Sequence, residues 1–239
     1  GGADTPRPVH GRGKWIIFAD ADDFFTANCF TILNEYMDSP HKVIYFNVRF
    51  VMSDDPSQES RRGTYYTNFF NDVNPENKLR YQSQVPWGKM IRRSFLSTFH
   101  IQFDETRIAN DVYFSCLVGI YAPKVTTDRR IIYYCTESDQ SLAMSKQDRE
   151  SLIIRFNASM KCNRLLRQEK IHYYLSPLPW CIPSAKTKEW LPAKYFFEYL
   201  FFFRLQAFKE LYYAFSAILS HMNEPATKET DKRSEEHTS

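Results

Sequence analysis

Residues 15–25 run Trp-Ile-Ile-Phe-Ala-Asp-Ala-Asp-Asp-Phe-Phe, an apolar stretch of strand length that stops in three carboxylates, Asp20, Asp22 and Asp23. Charges of one sign set this close cannot all be buried without compensation. Either water reaches them or a cation does. Hard oxygen ligands suit magnesium or manganese, ions usually held by one or two carboxylates with phosphate oxygens filling the shell. The run therefore reads as a buried strand whose carboxyl end opens a cation site. The bland alternative is a solvated loop with an aspartate capping the next helix.

The 239 residues suffice for one α/β domain with an extension, or for two small domains. Lys and Arg number 31 against 28 Asp and Glu, a balance that gives no electrostatic case for nucleic acid. Cys29, Cys116, Cys135, Cys162 and Cys181 form no CxxC pair and no zinc-finger spacing, so they read as reduced, partly buried thiols of a cytosolic protein. No run of 18 uncharged apolar residues occurs and no signal peptide is visible. Residues 233–239, Arg-Ser-Glu-Glu-His-Thr-Ser, read as a translated adapter rather than as protein. A strand as early as position 15 reads as an internal strand of a domain whose front is missing.

Strand and helix periods alternate along the chain. Strands are expected at 15–19, 42–52 and 130–134, with a short one near 85–95 followed by a helical turn. Helices are expected at 28–37, 65–71, 111–121 and 147–169, and a long final one at 194–219. Residues 78–84 give no clear period. Alternation of this kind argues an α/β layer architecture, in which ligands bind outside the carboxyl ends of strands. The acidic cluster lies where that rule places a site.

Three segments in order resemble glycosyltransferase family 2, the inverting sugar transferases of GT-A fold. Phe18 to Phe25 resembles the strand ending in that family's metal-binding DxD motif. Pro86-Trp87-Gly88-Lys89, continuing to Phe95, is similar to a segment of members that build bacterial surface polysaccharides. Phe103-Asp104-Glu105, followed by Asn110-Asp111-Val112, resembles the segment whose aspartate is the family's catalytic base. Ser141-Leu142 fits the close of the domain. The resemblance spans roughly Gly13 to Ser145. It departs from the family at Asn110, where a Glu is usual, and at Pro8, where an Asn is usual; no Gln-x-x-Arg-Trp occurs, which disfavours processive synthases.

The resemblance implies a partial GT-A mixed sheet, Rossmann-like, with helices on both faces over 1–146, and a helical extension over 147–232. It implies transfer of a sugar from a nucleoside-diphosphate donor, a UDP-sugar first, to a carbohydrate or polyprenyl-diphosphate-linked acceptor. Without its front strands the fragment is expected to be inactive. Asp22 is the expected metal ligand, with Asp20 on the same strand face touching the ion's shell or the donor's ribose. Asp23 is expected to cap the following turn or helix. Asp111 is the expected base, against an ordinary N-cap role. Trp87 and Lys89 are expected to meet the acceptor, against a Trp packed under a loop beside a snorkelling Lys; Arg92 and Arg93 read as surface charges. The stripe through 194–219 reads as packing on protein or as an in-plane helix at the inner face of a membrane. Two rivals stand beside this reading. One is a haloacid-dehalogenase-like phosphohydrolase, which also sets Asp-x-Asp after a strand but needs a Thr or Ser where Phe24 stands. The other is a non-enzymatic membrane-surface or partner-binding protein.

Overall fold

The computed structural model describes residues 12–60, 63–137, 148–181, 191–204, 208 and 210–212. The segments 1–11 and 233–239, the pair Ser141-Leu142 and most of 204–219 lie outside them. The chain divides into two compact units, Gly1–Leu191 and Pro192–Ser239.

In the first unit the order is β1 (Trp15–Ile17), β2 (Phe24–Phe25), α1 (Cys29–Asn34), β3 (Val43–Met52), α2 (Gly63–Phe70), α3 (Pro75–Gln82), β4 (Lys89–Arg92), α4 (Arg93–Thr98), α5 (Asn110–Tyr121), β5 (Val125–Glu137), α6 (Arg149–Gln168) and α7 (Leu178–Cys181). The five strands lie in the order β1-β4-β3-β5-β2. β3 runs parallel to β5, and the other pairings are antiparallel. The fold is thus α/β with a mixed sheet.

β3 is the centre. Val43, Ile44, Tyr45 and Phe46 are wholly buried, which is what an unbroken apolar run predicts for a strand covered on both faces. β1 departs from expectation, because it is a half-buried edge strand paired only with β4 among the described residues. Two arginines tie it to β4. The Arg92 guanidinium lies 4.2 Å over the Trp15 ring, and Arg93 Nε donates to the Gly13 carbonyl at 2.8 Å.

β5 is far longer than its apolar stretch. Its front half, Thr126 to Arg130, is polar and gives no strand signal, yet it pairs with β3 from Val43↔Val125 onward. Its charges are met locally, since Arg130 bridges Asp128 and Glu35 at 2.6 and 2.7 Å. α1 is shorter than its period. Tyr36 and Met37 N–H groups bond to carbonyls three residues back, at Leu33 and Asn34, which tightens the chain out of the α-helix. α3 starts at a cap: the Asn74 side chain accepts from the Asn77 N–H at 3.1 Å, and Pro75 opens the first turn. α5 packs against α3 at Gly119 and against α6 through Val112, Cys116, Cys162 and Leu166. The five cysteines are all buried, and none is in a disulfide.

In the second unit α8 (Ala193–Phe203) carries Phe197 and Phe201 exposed to solvent. The uninterrupted helix expected over 194–219 stops at Arg204, whose φ of 48° takes the backbone out of the right-handed helix. Among the described residues no helix is long and apolar enough to cross a membrane.

Candidate active site

A stack of three aromatic rings brings the acidic turn to the start of α5. Phe18 sits two residues before Asp20 and packs edge-on against both Phe103 and Phe114, at 5.2 and 5.3 Å between centroids. Phe103 and Phe114 are themselves stacked at 4.2 Å. Phe114 lies one helical turn beyond Asp111. The loop before α5 is tied to α6, where Lys161 pairs with Asp104 at 2.8 Å and Arg107 with Asp148 at 2.8 Å. Burial of apolar rings thus joins two segments about 90 residues apart.

The carboxylates occupy a turn, not a strand. β1 ends at Ile17, and the Asp23 N–H closes back on the Asp20 carbonyl at 3.3 Å. The alternation rule behind a shared strand face for Asp20 and Asp22 therefore does not apply. Both are nonetheless exposed. Among the described residues neither carboxylate has a hydrogen-bond or ion-pair partner.

Asp23 differs. It caps no helix; it is bound to β5. Its Oδ2 accepts from the Tyr133 hydroxyl at 2.7 Å, and its Oδ1 accepts from the Thr136 N–H at 2.7 Å. The same Tyr133 oxygen accepts from the Asp20 N–H at 2.8 Å. Thr136 Oγ1 donates to the Asp22 carbonyl at 2.9 Å. Sequence reasoning missed Tyr133 and Thr136. The only signal is that they end a strand, and nothing local says which turn that strand meets.

Asp111 is half-buried at the second position of α5. The N-cap is Ala109, in the left-handed region at φ 52°, so Asp111 is not the cap. Loss of water raises its carboxyl above the ordinary aspartate value. Its own N–H, the Lys89 ammonium, Arg155 and the Val112 N–H pull the other way. Asp20 is raised in turn, first by lost hydration, then by Asp23, Asp22 and Asp111. Asp111 is thus among the charges that raise Asp20.

The acceptor-facing role expected for Trp87 and Lys89 finds no exposed surface here. Trp87 is packed against Phe50, Tyr66 and Tyr133. Lys89 does not snorkel; it is 0% exposed, and its ammonium donates to the carbonyls of Ser83 and Val85. Burial pushes it down to about 7, opposed by Asp111. Its ammonium is enclosed where that face of the sheet is covered, 5.6 Å from the centre of the Tyr45 ring.

No three His, Cys, Asp or Glu side chains among the described residues form a closed metal cage. Two free carboxylates fit a hard cation that takes its other ligands from water and phosphate oxygens.

The sequence model of glycosyl transferase family 2 matches residues 10–99. Over this stretch, which is less than half of the chain, the sequence is similar to that family. The match favours the glycosyltransferase over the phosphohydrolase as the reading of the Asp-x-Asp motif. The matched stretch takes in the acidic turn, β3 and β4, and stops before Asp111 and Tyr133. No curated protein matches the chain. Among solved structures, the chain is similar to S. aureus TarS 1-349 in complex with UDP-GlcNAc, at 17% identity and TM-score 0.48, covering 63% of this chain and 43% of that one. The complex with UDP aligns at 17% identity and TM-score 0.45, covering 63% and 41%. TarS 1-349 without a named ligand aligns at 16% and 0.45, covering 71% and 44%. The chain spans less than half the length of these structures, and a likeness at that level decides nothing about its chemistry.

Proposed function

We propose that the chain carries the metal and acceptor side of an inverting glycosyltransferase. It would move a sugar from a nucleoside-diphosphate donor, a UDP-sugar first, to a carbohydrate or lipid-linked acceptor. The observation that carries the reading is the pair of unpartnered carboxylates, Asp20 and Asp22, on a clamped turn within electrostatic range of Asp111. Asp22, with Asp20 beside it, is assigned to a magnesium or manganese ion, which when bound neutralises the leaving diphosphate as a Lewis acid. Asp111 is assigned as the base that takes the acceptor hydroxyl proton. Its place in the first turn of α5 fixes its direction, and its burial raises its basicity. Trp87 and Lys89 are assigned to shaping the acceptor side from beneath, Lys89 by holding the carbonyls of the 83–88 turn. Phe197 and Phe201, exposed on α8, are assigned to peripheral contact with the inner face of a membrane.

The test is release of UDP from a panel of UDP-sugars, UDP-GlcNAc first, with and without manganese, by the chain fused behind a family 2 donor-binding segment. Metal-dependent release is expected from the fusion and none from the 239 residues alone. Asp111→Asn should lower it by about 10²–10⁴-fold, the usual share of a general base. An Asp22→Asn protein that keeps the parent rate and the parent metal dependence defeats the metal assignment.

A further inference from the structure

We propose that Tyr133 is a positioning residue for the cation site: it commits Asp23 to the sheet and so leaves Asp20 and Asp22 for the ion. This rests on the metal reading above. Three carboxylates within four positions are chemically alike, and only their partners can give them different roles. Asp23 has two charge-assisted bonds to β5, whereas Asp20 and Asp22 have none. Tyr133 serves both sides of the turn, since its hydroxyl accepts from the Asp20 N–H and donates to Asp23. The hydroxyl is itself fixed from behind. The Tyr133 side chain is 1% exposed, with Phe25 at 5.3 Å and Trp87 stacked at 6.2 Å. Thr136 completes the clamp on the Asp22 carbonyl. The backbone that carries the two free carboxylates is thereby held in place before any ion arrives.

Groups that orient metal ligands through hydrogen bonds cost about 10–100-fold in metal affinity when removed. Tyr133→Phe keeps the ring and deletes both bonds. The experiment titrates the intact 239-residue chain with manganese alone, then with UDP present, and reads free ion by electron paramagnetic resonance. Tyr133→Phe is expected to weaken binding by at least about tenfold. Thr136→Val keeps the N–H to Asp23 and loses only the hydroxyl, so a smaller loss is expected. It carries the test if the Phe variant does not fold. A melting temperature measured alongside separates the roles: a merely structural Tyr133 would lower it and leave affinity untouched. Manganese affinity within twofold of the parent in the folded variants overturns the inference, provided Asp22→Asn abolishes binding. A parent chain that binds no manganese, or an Asp22→Asn protein that binds it normally, overturns the metal reading and this inference together.

Discussion

Replacing Gly119 by alanine opposes two well-measured effects, and the structure decides between them. Gly119 lies inside α5, where alanine is favoured over glycine by about 1 kcal/mol. A Cβ built there would stand 1.7 Å from the Arg80 carbonyl oxygen and 2.7 Å from its carbonyl carbon. Ordinary contact begins at 3.4 Å, and the obstacle is backbone of α3, which has no rotamer to turn away. α5 and α3 must therefore part by roughly 1.7 Å, the shortfall between those two distances. That also stretches two bonds of 2.9 Å, from Arg80 Nε to the Gly119 carbonyl and from its terminal nitrogen to the Ala122 carbonyl. Overpacking costs about 1–3 kcal/mol or more, and bonds from a charged donor are worth about 1.5–3 kcal/mol each. Half of that bond energy survives if the helices re-seat. The net expectation is a loss of about 3 kcal/mol after the propensity gain is subtracted. The assay is urea unfolding followed by tryptophan fluorescence and far-ultraviolet dichroism, with the same slope required of both proteins. A Gly119→Ala protein as stable as the parent, or more stable, refutes the close crossing of α3 and α5.

Lys89 makes stability depend on alkaline pH. An unfolded lysine titrates near 10.5, while burial holds this one down to about 7. Between those values the unfolded chain binds the extra proton, so stability rises with pH, by at most about 1.4 kcal/mol per unit. Lys89→Met should flatten urea midpoints measured from pH 7 to 10; an unchanged rise removes Lys89 as its source. Asp148 acts at the acid end. It caps α6 through the Ser151 N–H at 2.7 Å, and the Ser151 and Arg107 bonds hold its carboxyl down to about 2. Its contribution is full above the ordinary 3.8 and fades as pH falls through about 2. Asp148→Ala should melt lower at pH 7, and the gap to the parent should narrow towards pH 2; a gap independent of pH argues that the carboxylate is not the cap.

What could be read from the chain was whatever its neighbours in sequence determine. Ile16 and Ile17 before Asp20 announce a strand opening onto a polar turn. Val112, Phe114 and Val118 announce a buried helix. The unbroken run in β3 announces the sheet's centre. The cap of α3, Asn74 followed by Pro75, is equally local and legible in the sequence. Other features depend on partners far along the chain. A lysine between Gly88 and Met90 reads as exposed, and only the packing over that face of the sheet buries it. Asp23 is indistinguishable from Asp22 in sequence, since its partners lie 110 and 113 positions later. The front half of β5 is too polar to look like a strand until its parallel pairing with β3 is known.

The clamp on the acidic turn has a consequence for how the protein is made. Asp20 to Asp23 leave the ribosome long before Tyr133 and Thr136 exist. At about 5–20 residues per second, the turn waits roughly 6–20 s for the strand that sorts its three charges. Until Thr136 clears the exit tunnel the nascent chain displays three equivalent aspartates with no assigned roles. The acidic turn is therefore completed late in synthesis, at a time set by the order of the strands rather than by the position of its carboxylates.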